Sequence, residues 1–111
     1  MSFFIAEVSS NHSRDIDRAI EFIDSASKVG CDAVKFQLFK IEKLFSAEIL
    51  ENSKQHRDRK QWELPLDFVP LLSNRCKEKG IQFSCTPFYL DAVNELESYV
   101  DFYKIASYEL L

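Results

Sequence analysis

The stretch IDRAIEFIDSASKVGCDAVKFQ, residues 16–37, decides how this chain is read. Ile16, Ala19, Ile20, Ile23, Ala26 and Val29 recur at helical spacing, Lys28 stands in the final turn, and Gly30 follows the last apolar position. A glycine there supplies a left-handed cap, and a lysine in the last turn suits the negative end of the helix dipole. A strand begins at once near Ala33. Upstream, Phe3 to Val8 reads as a buried strand, separated from the helix by the polar loop Ser9-Ser10-Asn11-His12-Ser13.

The same unit returns downstream. Phe68, Leu71, Leu72 and Cys76 share a helical face, Pro70 falls in the first turn where it is tolerated, and Lys77 and Lys79 precede Gly80. Ile81 to Cys85 then reads as a strand. The only two glycines of the chain thus occupy matching helix-to-strand junctions, a weak internal repeat of αβ units. A third helix is predicted from about Leu90 to Ser98, with Leu90, Val93 and Leu96 inward, and a fourth strand from Phe102 to Ala106.

Strands separated by helices imply right-handed crossovers and a parallel sheet. Helices are needed to cover such a sheet, yet little sequence follows the fourth strand. The expected fold class is therefore α/β, built of parallel βα units, with residues 1–111 as the amino-terminal half of a (β/α)8 TIM-barrel domain. Leu38 to Leu66 interrupts the rhythm with an apolar segment, Ile41 to Leu50, the charged run Lys54 to Lys60, and Trp62. That charged run reads either as a solvated loop or as a mobile cover over a site.

The 46% hydrophobic content of the 111 residues suffices for one core. A net charge of −4 argues against nucleic acid or an anionic membrane as the main partner, leaving small molecules. Cys31, Cys76 and Cys85 are odd in number and form no CxxC pair, which suits reduced, structural thiols. The amino terminus has neither a basic region nor a long apolar run, and no segment approaches a membrane span, so a cytoplasmic location is expected.

Two lysines stand inside apolar strand-like runs, Lys35 in Ala33 to Gln37 and Lys104 in Phe102 to Ser107. An unpaired buried ammonium is costly, so an anionic partner is implied. In a parallel sheet the carboxyl ends of the strands share one rim, where α/β proteins place their ligands. The residues at that rim are Glu7, Lys35, Gln37, Thr86, Lys104 and Ser107, with Glu109 just beyond. Ammonium and hydroxyl groups together suit a phosphate or a phosphate-plus-carboxylate ligand, and a carboxylate beside them can serve as acid, base or hydroxyl acceptor.

Other roles fit the same residues. Each lysine can bury its stem and reach solvent, Glu7 and Lys35 can form a structural ion pair, and Thr86 before Pro87 suits a plain strand-to-turn position. His12 suits a loop or cap, and with His56 it makes no metal-ligand cluster. A desolvated strand lysine can also act as a Schiff-base nucleophile, as in aldolases.

Four ordered motifs carry a family resemblance: Phe4-Ile5-Ala6-Glu7 followed by Asn11-His12; Gly30 to Gln37; Ser84-Cys85-Thr86-Pro87-Phe88; and Tyr103 to Leu110. The chain resembles the sialic acid synthase family, which includes N-acetylneuraminate, legionaminate and pseudaminate synthases. The resemblance implies a barrel enzyme that condenses phosphoenolpyruvate with an N-acetylated sugar to a nine-carbon 2-keto acid, releasing phosphate by C–O cleavage. It implies a divalent metal, Mn or Mg, whose ligands are not in this chain, and a homodimer at full length. By motif, Lys35, Thr86, Lys104 and Ser107 would hold phosphoenolpyruvate, Glu7 would be catalytic beside the reacting carbons, and Glu109 would accept from sugar hydroxyls. Gln37 and His12 fall in matching motifs as further substrate-binding candidates. Tyr108 between Ser107 and Glu109 replaces the usual glycine and looks more like the pseudaminate synthases. The 111 residues alone are expected to be inactive. The competing expectations are a Schiff-base aldolase barrel and a non-catalytic anion-binding half-barrel.

Overall fold

A computed structural model describes residues 3–9 and 11–103. In chain order the elements are β1 (Ile5–Ser9), α1 (Ile16–Lys28), β2 (Ala33–Leu38), α2 (Ile41–Leu44), α3 (Ala47–Asn52), α4 (Lys54–Asp58), a 3₁₀ helix (Arg59–Trp62), α5 (Phe68–Lys79), β3 (Gln82–Pro87), α6 (Leu90–Leu96) and β4 (Phe102–Tyr103). The strands form one sheet in the order β1-β2-β3-β4, every neighbouring pair parallel. This is the expected succession of βα units.

Alternation along the strands divides the sheet into two chemically different faces. Val34, Phe36 and Leu38 of β2 and Phe83 and Cys85 of β3 are buried in one core with Ala19, Ile23 and Ala26 of α1, Val69, Leu72 and Cys76 of α5, and Ala92 and Leu96 of α6. Each of the large side chains here contributes about 1.5–3 kcal/mol by leaving water. The opposite face carries Glu7, Lys35, Gln37, Ser84 and Thr86. A polar inner face and an apolar helix-covered outer face belong to a barrel wall, since a doubly wound sheet is apolar on both sides.

Two aspartates set the strand register. Asp32, just before β2, accepts the Phe4 N–H at 2.8 Å, and Asp101, just before β4, accepts the Phe83 N–H at 2.7 Å. Their own amides donate back to the carbonyls of Phe4 and Phe83, both at 2.8 Å. Each carboxylate therefore pins the start of one strand to its neighbour. Gly30 and Gly80 take φ of +90° and +72°, the left-handed conformations expected where the two helices hand over to strands.

The helix faces depart from the sequence expectation in three places. Val29 is 78% exposed, because it is the C-cap of α1 and no longer lies on its buried stripe. On α5 the inward face holds Val69, Leu72, Ser73 and Cys76, leaving Leu71 54% exposed. Ser73 can turn inward because its hydroxyl donates to the Tyr99 carbonyl at 2.8 Å. On α6 the buried residues are Ala92 and Leu96, with Val93 exposed; the side chain of Leu90 lies outside the described set.

The charged run after residue 53 is helical and not a loop. Ser53 caps α4 by accepting the His56 amide at 3.3 Å, and the Arg57 guanidinium closes the end of α3 by donating to the carbonyls of Leu50 and Glu51 at 2.9 and 3.0 Å. Its charges nonetheless face water, so the solvated part of that reading holds. Among the described residues no helix is long and apolar enough to cross a membrane.

Candidate active site

The register places Glu7 opposite Lys35 and Lys35 opposite Ser84, in one row across three strands. Two residues further along, Gln37 stands opposite Thr86. Lys35 Nζ lies 2.6 Å from Glu7 Oε1, with the lysine side chain 12% exposed and the glutamate 58% exposed. The lysine side chain is therefore embedded in the sheet face while its glutamate partner stands half in water. The ion pair foreseen as one reading of these residues is present, and it leaves two of the three ammonium N–H donors for other acceptors.

Ser84 and Thr86 are buried, and Thr86 Oγ1 has no hydrogen-bond partner among the described residues. A buried hydroxyl without a partner costs about 1–3 kcal/mol, which makes it a group awaiting an acceptor or donor. Ser84 does not stand out in the sequence. Its i, i+2 spacing from Thr86 is the signal that assigns it to the same face.

Loops after the first three strands build the rim above this row. In the β1–α1 loop His12 is wholly buried, its ring 6.5 Å from that of Phe36, and its Nδ1 accepts the Arg14 N–H at 2.8 Å. Burial, with the nearby Arg14 charge, pushes its pKa below the usual histidine value of 6.5. In the β2–α5 segment the carboxylate of Glu63 is buried; it accepts the Ile41 N–H at 2.8 Å and stands 3.6 Å from Lys60 Nζ. After β3, the ring of Phe88 meets that of Phe39 edge-on at 6.4 Å, and the Tyr89 hydroxyl donates to Glu95 at 2.7 Å with Lys40 over its ring. Burial and Glu95 hold that phenol well above its ordinary range.

Burial also pushes the Cys76 thiol up to about 12 and the Cys85 thiol further, so neither is a nucleophile or a ready metal ligand. Cys31, Cys76 and Cys85 are all free thiols. Among the described residues no three His, Cys, Asp or Glu side chains converge to hold a metal ion. These residues therefore do not fit a divalent-metal centre.

Of the residues expected at the site, Glu7 and Lys35 are brought into contact, Gln37 and Thr86 into the adjoining row, and His12 into the loop after β1. Lys104, Ser107 and Glu109 lie outside the described residues.

A parallel sheet that is helix-covered outside and polar inside, with its polar row below the carboxyl-end loops, defines a protein of the (β/α)8-barrel class. Residues 22–111 match the NeuB family, and the chain belongs to that family. It is 32% identical to the spore coat polysaccharide biosynthesis protein SpsE of Bacillus subtilis, over 97% of this chain and 31% of that protein. It is 34% identical to the N,N'-diacetyllegionaminic acid synthase of Legionella pneumophila, over 86% of this chain and 30% of that enzyme. The crystal structure of an N-acetylneuraminic acid synthetase from Leptospira borgpetersenii, in complex with citrate, superimposes with a TM-score of 0.84 at 32% identity, covering 97% of this chain and 37% of that one. The chain thus spans about a third of the length of the curated relatives it matches.

Proposed function

We propose that the protein of which these residues form part is a sialic-acid-type synthase. It would condense phosphoenolpyruvate with an N-acetylated aldose, N-acetylmannosamine or a related diacetamido sugar, to a nine-carbon 2-keto acid. The observation that carries the reading is the row Glu7–Lys35–Ser84 with Gln37–Thr86 beside it, in a chain of the NeuB family.

In this reading the enol C3 attacks the aldehyde carbon and forms the new C–C bond, leaving an oxocarbenium ion at C2. Water adds to C2, and collapse of that adduct breaks the C2–O bond and expels phosphate. Lys35 supplies fixed positive charge to phosphoenolpyruvate, and Thr86 directs a hydroxyl to the same ligand. Glu7, adjacent to the ammonium, orients it and exchanges a proton with the adding water or the new alkoxide. Gln37 donates from the neighbouring row. Lys104 and Ser107 are proposed to hold the opposite part of phosphoenolpyruvate, and Glu109 the sugar hydroxyls. Any Mn or Mg ion would draw its ligands from elsewhere in the protein. A cytoplasmic homodimer belongs to the same proposal.

In the aldolase alternative Lys35 or Lys104 would form a Schiff base, whereas the synthase reading uses Lys35 in its ion pair with Glu7. The test is turnover of phosphoenolpyruvate carrying ¹⁸O in its bridging oxygen, by the intact protein with each candidate sugar and Mn or Mg. Label in the released phosphate supports C–O cleavage. Label in the keto acid, or a borohydride-trapped pyruvate adduct on Lys35 or Lys104, refutes the proposal.

A further inference from the structure

We propose that His12 is a positioning residue of this rim, acting as a neutral imidazole whose Nδ1 holds the β1–α1 loop and, through Arg14, ties it to the β2–α5 segment. The ring is wholly buried, and its Nδ1 accepts the Arg14 N–H at 2.8 Å. A ring nitrogen that accepts carries no proton, so the proton of the neutral ring is on Nε2. Nε2 is buried and has no partner among the described residues, which leaves Nδ1 as the ring's anchoring atom.

The loop needs such an anchor. Ser13 and Arg14 take φ of 51° and 57°, left-handed conformations that favour glycine, and neither is glycine. The acceptor at His12 Nδ1 receives the amide that this turn exposes, and the His12 carbonyl receives that of Asp15 at 3.0 Å. The turn delivers the Arg14 guanidinium to the Lys60 carbonyl at 3.1 Å. Lys60 in turn binds Glu42 at 2.9 Å and approaches Glu63, whose carboxylate holds the Ile41 amide.

These contacts form one continuous link between the loop following Glu7 and the segment following Lys35 and Gln37. Strand β1 itself is irregular between Glu7 and Ser9, with Ser9 at φ 52°, so the β1–α1 loop leaves the strand directly beyond Glu7. His12 thus acts through Arg14 and not on the substrate. The kinetic arm of this proposal rests on the synthase reading; the structural arms do not.

The test compares His12→Asn, which keeps an acceptor near the position of Nδ1, with His12→Gln, which keeps a donor near that of Nε2, in the intact protein. Nitrogen-15 spectra of the unmodified protein are expected to show a bare Nδ1 and a protonated Nε2. Exchange of the Arg14 amide is expected to stay slow in the Asn variant and to accelerate about tenfold or more in the Gln variant. For phosphoenolpyruvate, kcat/KM should fall less than about threefold in the Asn variant and more than about tenfold in the Gln variant, mostly through KM. A proton on Nδ1, or rescue by Gln and not by Asn, overturns the proposal. Should both variants unfold, the tautomer in the unmodified protein decides. Lack of turnover in the unmodified protein refutes the synthase reading alone, because the spectra and the exchange rates still decide the role of His12.

Discussion

Removing either half of the Glu7–Lys35 pair should affect stability very unequally, and the asymmetry follows from the two exposures. Glu7→Gln keeps the shape but leaves Lys35, whose side chain is 12% exposed, without its carboxylate partner. Losing the partner of a fully buried charge costs about 3–5 kcal/mol; with a neutral amide oxygen still in place and water on the Glu7 side, roughly 1–2 kcal/mol is expected. Lys35→Met leaves Glu7, whose side chain is 58% exposed, with water for a partner, and it puts a thioether of similar length in the place of the lysine stem. That change should cost about 0–0.5 kcal/mol, in the range of exposed pairs. The assay is equilibrium urea unfolding of the intact protein. With an m-value of about 2 kcal/mol/M, the Glu7→Gln midpoint should lie about 0.25–1 M below that of Lys35→Met. In the proposed synthase reading, saturating phosphoenolpyruvate should narrow the gap, its anionic groups taking the place of the missing carboxylate beside Lys35. Equal midpoints, or a lower midpoint for Lys35→Met, refute the reasoning that the lysine is the more buried member and the glutamate the more solvated one.

Three further outcomes are expected. Glu63→Ala strands the Ile41 amide that its carboxylate accepts at 2.8 Å, which should cost about 1–3 kcal/mol and speed tryptic cleavage between Lys54 and Lys60; unchanged cleavage rates count against the clasp. Gly80→Ala should cost about 1 kcal/mol although a Cβ there meets nothing within 4 Å, because φ of +72° alone opposes it; a neutral result in thermal melting contradicts this. Because the folded state holds the pKa of His12 below 6.5, the unfolded chain binds the extra proton first as the solution is acidified. The contribution of His12 to stability is therefore complete above pH 6.5 and is lost as pH falls from there through the lower folded-state value. The unmodified protein should lose stability between about pH 7 and pH 5 more steeply than His12→Asn, and parallel curves would exclude a buried neutral imidazole.

Legibility from the sequence followed the range of the interaction. Helix ends were readable because Gly30 and Gly80 act on their own backbone dihedrals, a property of one residue. The inner face was readable in part: Lys35 and Gln37 announce themselves as polar residues in apolar strands, whereas Ser84 is too small and too ordinary a strand residue to do so. Helix orientation was less legible, because Leu71, expected inward, is exposed while Ser73 is buried and donates to the Tyr99 carbonyl. The segment from Ile41 to Trp62 was the least legible. Its helices are short and capped by contacts such as Arg57 to Leu50 and Glu63 to Ile41, which span 7 to 22 residues and leave no periodic pattern.

By itself, then, the sequence determined the succession of strands and helices, the places where helices stop, and the requirement for an anion near Lys35. All of these depend on one residue's backbone preference or on spacing within a single element. Only the tertiary structure decided that Glu7, Lys35 and Ser84 share a row, that the lysine is the more buried partner of the ion pair, and that His12 Nδ1 accepts the Arg14 amide. Those depend on register and burial, which crossover helices and the Asp32 and Asp101 clamps set between segments far apart in the chain.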